Sequence, residues 1–383
     1  MASAHTGTGG LMLTRRIGVL FSTTGVMSVT ETAHLKGLMV AVAENNSAAS
    51  AEVQLEPIIE DPGSVPDQYR TLAKKMVTKD GVAAIFGCCT SASRKAVLPV
   101  LARYGSVLFY PSVYEGFEYS PNVVYGGATP NQIVLPLVEH LLATEMSNIY
   151  LIGSDYVYAR EINRIVSELL DESGGQVVGE QYLPLGSPPE AFRAAARLID
   201  RTDPHAVLST VVGEDTKLLY EAVAERGGAR RVIASLTTTE AELAIMAPSA
   251  RAGHLTAACY FGSLDTEENR TFRSLYEARY GHHEIPSIYA QTTYAQVHAY
   301  VKATLSAAED DPKALLDAVR GLDYPAPQGA MTIDPDNNHV FIVPRLGRSR
   351  DDGGFDVIWQ GDRVKPDPYL ISYDRDLRPR AEH

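Results

Sequence analysis

No stretch of this chain approaches the roughly 20 consecutive apolar residues that a membrane-spanning helix needs, and cysteine is scarce. Cys88, Cys89 and Cys259 are the only three in 383 residues. So small and odd a number supplies no disulfide framework and fits a reducing compartment. Cationic side chains are outnumbered as well: 34 Lys and Arg against 47 Asp and Glu leave a formal net charge of −13. A surface of that sign is a poor match for a phosphate backbone. The small basic cluster Arg226, Arg230 and Arg231 reads as solvated helix ends, so no direct nucleic-acid contact is expected. There is no G-x-S-x-G nucleophile elbow and no Walker phosphate loop. Gly7, Gly9 and Gly10 precede the first strand, on the wrong side for a dinucleotide. His282-His283-Glu284 lacks the H-E-x-x-H spacing of a zinc site. No metal or cofactor is expected.

The opening residues, MASAHTGTGGLMLTRRIGVLF, lack the charged start, long apolar run and small-residue cleavage site of a secretory signal. A cytoplasmic location is therefore expected, with a mature form stripped of its leader as the alternative. Residues 1–13 read as a flexible tail.

What the chain does have is apolar content, 45% of its residues, enough for two cored domains. From Thr14 onward, apolar strands alternate with amphipathic helices. IGVLF (17–21), VQLEPII (53–59), VAAIF (82–86) and SVLFY (106–110) are the strands of a first βαβ series. Helices are expected over 29–44 and, with Asp67 as cap, from there to about Val77. NIYLIG (148–153), QVVGEQYLPL (176–185), AVLSTVV (206–212) and RVIASL (231–236) are the strands of a second series. The rhythm implies two doubly wound parallel sheets with helices on both faces. TAACYF (256–261) is read as crossing back to the first half. The expected division is 14–127 plus 256–327 for lobe 1 and 128–255 plus 328–375 for lobe 2.

Ligands of such sheets bind at the carboxyl ends of the strands, and hydroxyls and tyrosines collect there. The turn Gly87-Cys88-Cys89-Thr90-Ser91 leads into a helix, with Ser91 as the expected N-cap beside oriented N–H groups. Pro111 and Ser112 follow SVLFY. Ser154, Asp155, Tyr156 and Tyr158 follow NIYLIG. Thr210 closes AVLSTVV, and Thr237, Thr238 and Thr239 follow RVIASL. Asp155 is expected to cap the next helix or to hold a hinge network. Hydroxyls with an aromatic wall suit an uncharged polar ligand. A cysteine-dependent amide hydrolase is the enzyme alternative, because Cys88 or Cys89 stands at a helix N-terminus with Lys95, Glu115 and Glu118 near in sequence. Lys95 lies within the helix and points to solvent or steadies the turn, so the chain is expected not to be an enzyme.

GCCTSASRKAVLPV, FYPSVYEGFEYSPNVVYGGATPNQ (109–132), IGSDYVYARE (152–161), STVVG (209–213), IASLTTTEAE (233–242) and APQGAMTIDPDNNH (326–339) resemble the type I periplasmic-binding-protein fold. The resemblance runs from about Thr14 to Tyr369. Within that fold they are similar to AmiC-like cytoplasmic amide sensors of amidase operons, and to urea and short-chain amide receptors of ABC transporters. The resemblance implies two lobes, joined by several hinge crossings, that close over one small amide: acetamide, propionamide, a larger amide, or urea. Ser91, Tyr110, Pro111 and Ser112 would line the first lobe, with Cys89 where the relatives carry an aromatic. Tyr156, Tyr158, Thr210 and Thr237 would line the second. Ser112 stands where the relatives have threonine. Together the two smaller residues imply a roomier wall and a bulkier amide, unless another side chain fills the gap. The sensor reading further implies control of amidase expression through a protein partner of the antiterminator type, and a homo-oligomer is possible. The receptor reading implies a permease instead.

Overall fold

The computed structural model describes residues 12–226, 231–309 and 311–371. Arg230 and residues 1–11 of the expected tail lie outside this range. Leu13, the end of that tail, already belongs to the first strand, Leu13–Leu20.

Two α/β lobes carry one main sheet each. The first sheet is five parallel strands in the spatial order Val53–Glu60, Leu13–Leu20, Ala84–Gly87, Leu108–Tyr110, Val123–Tyr125. The second has seven strands, in the order Phe355–Gln360, Arg345–Ser349, Leu255–Ala258, Val232–Ser235, Ala206–Thr210, Asn148–Ser154, Gln176–Leu183. Five of these are parallel neighbours, and Arg345–Ser349 runs antiparallel to both Leu255–Ala258 and the edge strand Phe355–Gln360. Asp323–Tyr324, Met331–Ile333 and Val340–Phe341 form a small antiparallel sheet. A bridge between Tyr125 and His339 ties this part of the chain to the first sheet.

The strand runs are continuous because both sheet faces are covered by helices. Ile17, Val19 and Leu20 are completely buried, as are Ala84, Ile85 and Phe86. The segment read as crossing back after residue 256 instead places its strand, Leu255–Ala258, in the second sheet beside Val232–Ser235. The Asp67 cap is also corrected. Helix Pro66–Lys75 starts after Val65, and Asp67 lies inside its first turn.

In the first sheet the chain leaves strand Leu13–Leu20 for its neighbour on one side and then crosses to Ala84–Gly87 on the other. In the second, Asn148–Ser154 plays the same part between Gln176–Leu183 and Ala206–Thr210. These are the two switch points, where helices depart to opposite faces and leave a crevice. The turns after Gly87, Ser154 and Thr210 therefore open toward one space.

The first lobe is braced by helix Ser28–Ser47 against helix Ile288–Ser306. Gly37 permits the approach: a Cβ there would come within 1.9 Å of the Ala290 carbonyl oxygen. Gly→Ala inside a helix is ordinarily stabilising by about 1 kcal/mol. Gly37→Ala should instead destabilise by about 2–3 kcal/mol through overpacking, measured by urea unfolding. A neutral or stabilising result would refute the close contact.

Candidate ligand pocket between the lobes

One helix N-terminus and one tyrosine pair set the floor and wall of the crevice. Helix Ser91–Tyr104 starts after a turn in which Cys88 has a positive φ of 65°. Its N-cap is Thr90, whose hydroxyl accepts from the Ser93 amide at 3.1 Å. Ser91, expected to cap, is the first helical residue. Because Thr90 does the capping, the Ser91 hydroxyl is free to donate to the Glu115 carboxylate. Across the crevice, Tyr156 and Tyr158 begin helix Val157–Glu172 with their ring centroids 6.0 Å apart.

Ser91, Cys89, Ser112, Tyr156, Tyr158 and Thr237 surround one cavity, together with Met27, Thr30, Val113, Val212 and Tyr289. Three expected lining residues lie outside that wall. The Tyr110 hydroxyl donates to the Cys89 carbonyl at 2.6 Å, which supports the turn from behind. Pro111 lines a neighbouring hollow. Thr210 is fully buried in its own lobe, where it donates to Asn163 Oδ1 at 3.1 Å. Asp155 neither caps a helix nor holds a hinge network; it is half-exposed and pairs with Arg160 at 2.8 Å. The roomier wall does not materialise either. With Tyr289 and Met27 also on the wall, the cavity is about 20 Å³, and about 10–15 Å³ is needed for a single water.

The hydroxyl protons of this pocket point outward. Thr30 donates to Glu242 Oε1 at 2.7 Å. Thr237 donates to the Val211 carbonyl at 3.2 Å, and Tyr289 to the Thr237 carbonyl at 2.8 Å. Ser112 lies 2.9 Å from His34 Nε2. Thr293 donates to the Tyr289 carbonyl at 3.1 Å and lies 2.7 Å from His34 Nδ1. Nδ1 therefore carries the imidazole proton, and Nε2 accepts from Ser112. Burial drives the His34 pKa down to about 3, so the ring is neutral. Phe21 stacks on one side of it at 5.2 Å, and Tyr289 leans on the other.

With Ser91, five lining hydroxyls thus offer lone pairs inward. The buried Tyr158 hydroxyl has no partner among the described residues. Burial pushes its pKa far above the usual phenol range, so it stays a donor. The first amides of the Ser91 helix add donors, since helix geometry leaves them without partners in the helix. Among the described residues, no lysine or arginine lines the cavity. The Arg94 guanidinium is fully buried and pairs with Glu115 at 3.4 Å and Glu118 at 2.7 Å. Lys95 is half-exposed, 3.6 Å from Glu115.

Sequence reading missed Thr30, His34 and Tyr289. The available signal was their polarity on buried helix faces: Thr30 and His34 are four residues apart and completely enclosed.

Cys89 is not poised as a nucleophile. Burial, and next the charge of Glu31, hold its thiol well above the ordinary range. We expect native protein at pH 8 to alkylate at Cys89 about a hundredfold more slowly than a free thiol, as read by iodoacetamide labelling and mass spectrometry. Rapid stoichiometric labelling would revive the thiol chemistry.

Comparison with known proteins agrees with the architecture. A family model described as a periplasmic binding protein domain matches residues 15–375. A Leu/Ile/Val-binding protein homolog 6 from Brucella suis is 24% identical over 353 residues, covering 89% of each chain. A limonene hydroxylase from Geobacillus stearothermophilus is 31% identical over 121 residues, which is 32% of this chain but only 22% of that protein. The solute-binding protein of an ABC transporter from Rhodopseudomonas palustris, solved with 3,4-dihydroxybenzoic acid, superposes with a TM-score of 0.84 at 20% identity, covering 92% of this chain and 98% of that one.

Proposed function

The chain belongs to the periplasmic binding protein domain family, and from that premise we propose that it binds a small uncharged amide or urea between its lobes and performs no chemistry on it. The observation that carries this reading is the outward orientation of the five hydroxyl protons. A pocket that presents many lone pairs and few donors asks for a ligand rich in N–H and poor in acceptors. A primary amide supplies two N–H and one carbonyl; urea supplies four and one. The Tyr158 hydroxyl and the first amides of the Ser91 helix would take the carbonyl, while Tyr156 and Met27 would cover any short alkyl tail.

An acid without an amine, such as the 3,4-dihydroxybenzoic acid held by the Rhodopseudomonas palustris protein, fits this pocket poorly. A carboxylate carries acceptors alone, and here it would meet lone pairs with Glu115 and Glu242 one atom layer behind and no cation on the wall. Uncompensated buried charge is costly.

Delivery to a transporter is the better-supported role, because the relatives include the solute-binding protein of an ABC transporter. The lobes would close on the amide, and a permease would read the closed form. A second reading, the amide sensor that restrains an antiterminator-type partner, rests on the ordered motifs from GCCTSASRKAVLPV to APQGAMTIDPDNNH. Genome context separates the two: adjacent permease and ATPase genes support the receptor, an adjacent amidase and regulator the sensor.

Calorimetry with acetamide, propionamide, butyramide, urea, leucine and benzoate tests the ligand class. We expect one of the smaller amides or urea to bind best and the two carboxylates to bind at least about a hundredfold more weakly. Tyr158→Phe should cost the amide about tenfold, the worth of one hydrogen bond to a buried donor. Tight binding of leucine or benzoate would overturn the reading.

A further inference from the structure

Thr30 and Glu242 come from opposite lobes and meet at the cavity wall. Thr30 sits in the first turn of helix Ser28–Ser47 and is 1% exposed. Glu242, on the short helix Glu240–Ala244, is wholly enclosed. Its Oε2 is committed to its own lobe, accepting from the Thr239 amide at 2.9 Å and the Thr239 hydroxyl at 2.6 Å. Its Oε1 faces Thr30 at 2.7 Å. The carboxyl therefore has one fixed oxygen and one whose partner is a pocket hydroxyl.

We infer that Glu242 is a specificity-determining residue that sets the hydrogen-bonding polarity of the pocket from outside it, through Thr30. This rests on the reading of the cavity as the ligand site. When Glu242 is ionised, Oε1 takes the Thr30 proton and Thr30 offers the ligand a lone pair. When Glu242 is protonated, the only oxygen free to carry the proton is Oε1, because Oε2 already faces two donors. Oε1–H then donates to Thr30 Oγ1, and the Thr30 O–H turns toward the ligand. One proton, held outside the cavity, converts an acceptor on its wall into a donor. Glu242 is a positioning residue here: it acts on the ligand only by orienting Thr30.

The surroundings place this exchange in an accessible range. Burial raises Glu242 to about 7 against the pull of its hydrogen bonds with Thr239 and Thr30. The other titratable groups electrostatically linked to it are Glu240 on its own helix, Cys89 on the turn before the Ser91 helix, Tyr220 on helix Asp215–Ala224 and Tyr289 on helix Ile288–Ser306. None is a cation that would hold Glu242 ionised, but Glu240, raised by burial to about 7, and Glu31 beside Thr30, raised by burial to about 8, titrate in the same window, so the Glu242→Gln variant is what assigns the change to Glu242. His34, on the Thr30 helix, is neutral. The folded-state value lies above the ordinary 4.5, so Glu242 passes from protonated to ionised as pH rises through about 7.

A matched pair of ligands isolates the effect. Propionamide and butan-2-one have nearly the same shape, and the ketone replaces the amide NH2 with a methyl group. The work of closing the lobes is common to both, so the ratio of their affinities reports only whether the wall wants N–H. Competition calorimetry should find that propionamide is preferred over butan-2-one by about tenfold more at pH 8.5 than at pH 5.5. Glu242→Gln keeps its carbonyl for Thr239 and presents an N–H to Thr30, so its ratio should stay at the low-pH value throughout. Thr30→Val, nearly isosteric, should also give a ratio independent of pH. Circular dichroism melts confirm that both variants fold. A wild-type ratio that does not change with pH while propionamide binds, or a Glu242→Gln protein that keeps the wild-type profile, overturns the inference and leaves the amide reading standing. Failure of every amide and urea to bind at any pH overturns both.

Discussion

Five hydroxyls on the pocket wall have already given their protons away, and the remainder of the site depends on that. A serine or threonine is ambivalent in isolation, able to donate or accept. It becomes selective only when a second group fixes its proton, and here five different groups do so. Two are carboxylates, Glu115 and Glu242; two are main-chain carbonyls, of Val211 and Thr237; one is the neutral ring of His34. Much of the first lobe exists to keep these groups in place. Glu115 sits almost fully buried because Arg94, itself fully buried, pairs with it and with Glu118. Arg94 in turn lies 4.8 Å over the Tyr110 ring and 4.6 Å over the Tyr114 ring. Tyr114 bonds to His339, whose ring stacks on Tyr125 at 4.1 Å. Two cations and two anions, counting Lys95, nearly cancel, which makes so much buried charge tolerable.

The location of the pocket follows from strand order, independent of any side chain. In both sheets the order of strand addition reverses beside the strand that opens each lobe, and the turns at the two reversals carry Cys89 and Ser91 on one side and Tyr156, Tyr158 and Val212 on the other. Helices must leave a doubly wound sheet on opposite faces at such a point, so no helix can fill the crevice. Evolution of a new ligand preference on this fold therefore does not need a new pocket.

That division explains what the sequence could and could not reveal. Strands were visible as apolar runs, and the residues after their carboxyl ends named six of the eleven side chains around the cavity. The one-residue offset between Ser91 and Thr90 was invisible, because either hydroxyl satisfies the same helix-start pattern. It mattered, since capping by Thr90 is what leaves Ser91 for Glu115. Tyr110 and Thr210 were misplaced for a related reason. Successive side chains of a strand alternate between faces, so a polar residue at a strand's end can turn back into its own lobe as readily as toward the crevice. Thr30, His34 and Tyr289 come from helices whose polar residues look like ordinary surface until a second helix buries them. No local pattern says that a helix starting at Ser28 will be packed from several sides.

The solute-binding protein solved with 3,4-dihydroxybenzoic acid shares this architecture at 20% identity, so architecture alone does not set the direction of the protons on the wall. If an apolar residue stood at Glu115, Ser91 would keep its wall position and its volume but turn its proton inward. The same holds for Thr30 without Glu242, and for Ser112 without His34. A change confined to residues that never touch the ligand would turn an N–H-seeking wall into an oxygen-seeking one. On the proposed reading, the ligand preference of this chain is set one layer behind the pocket, where burial makes a misdirected proton expensive.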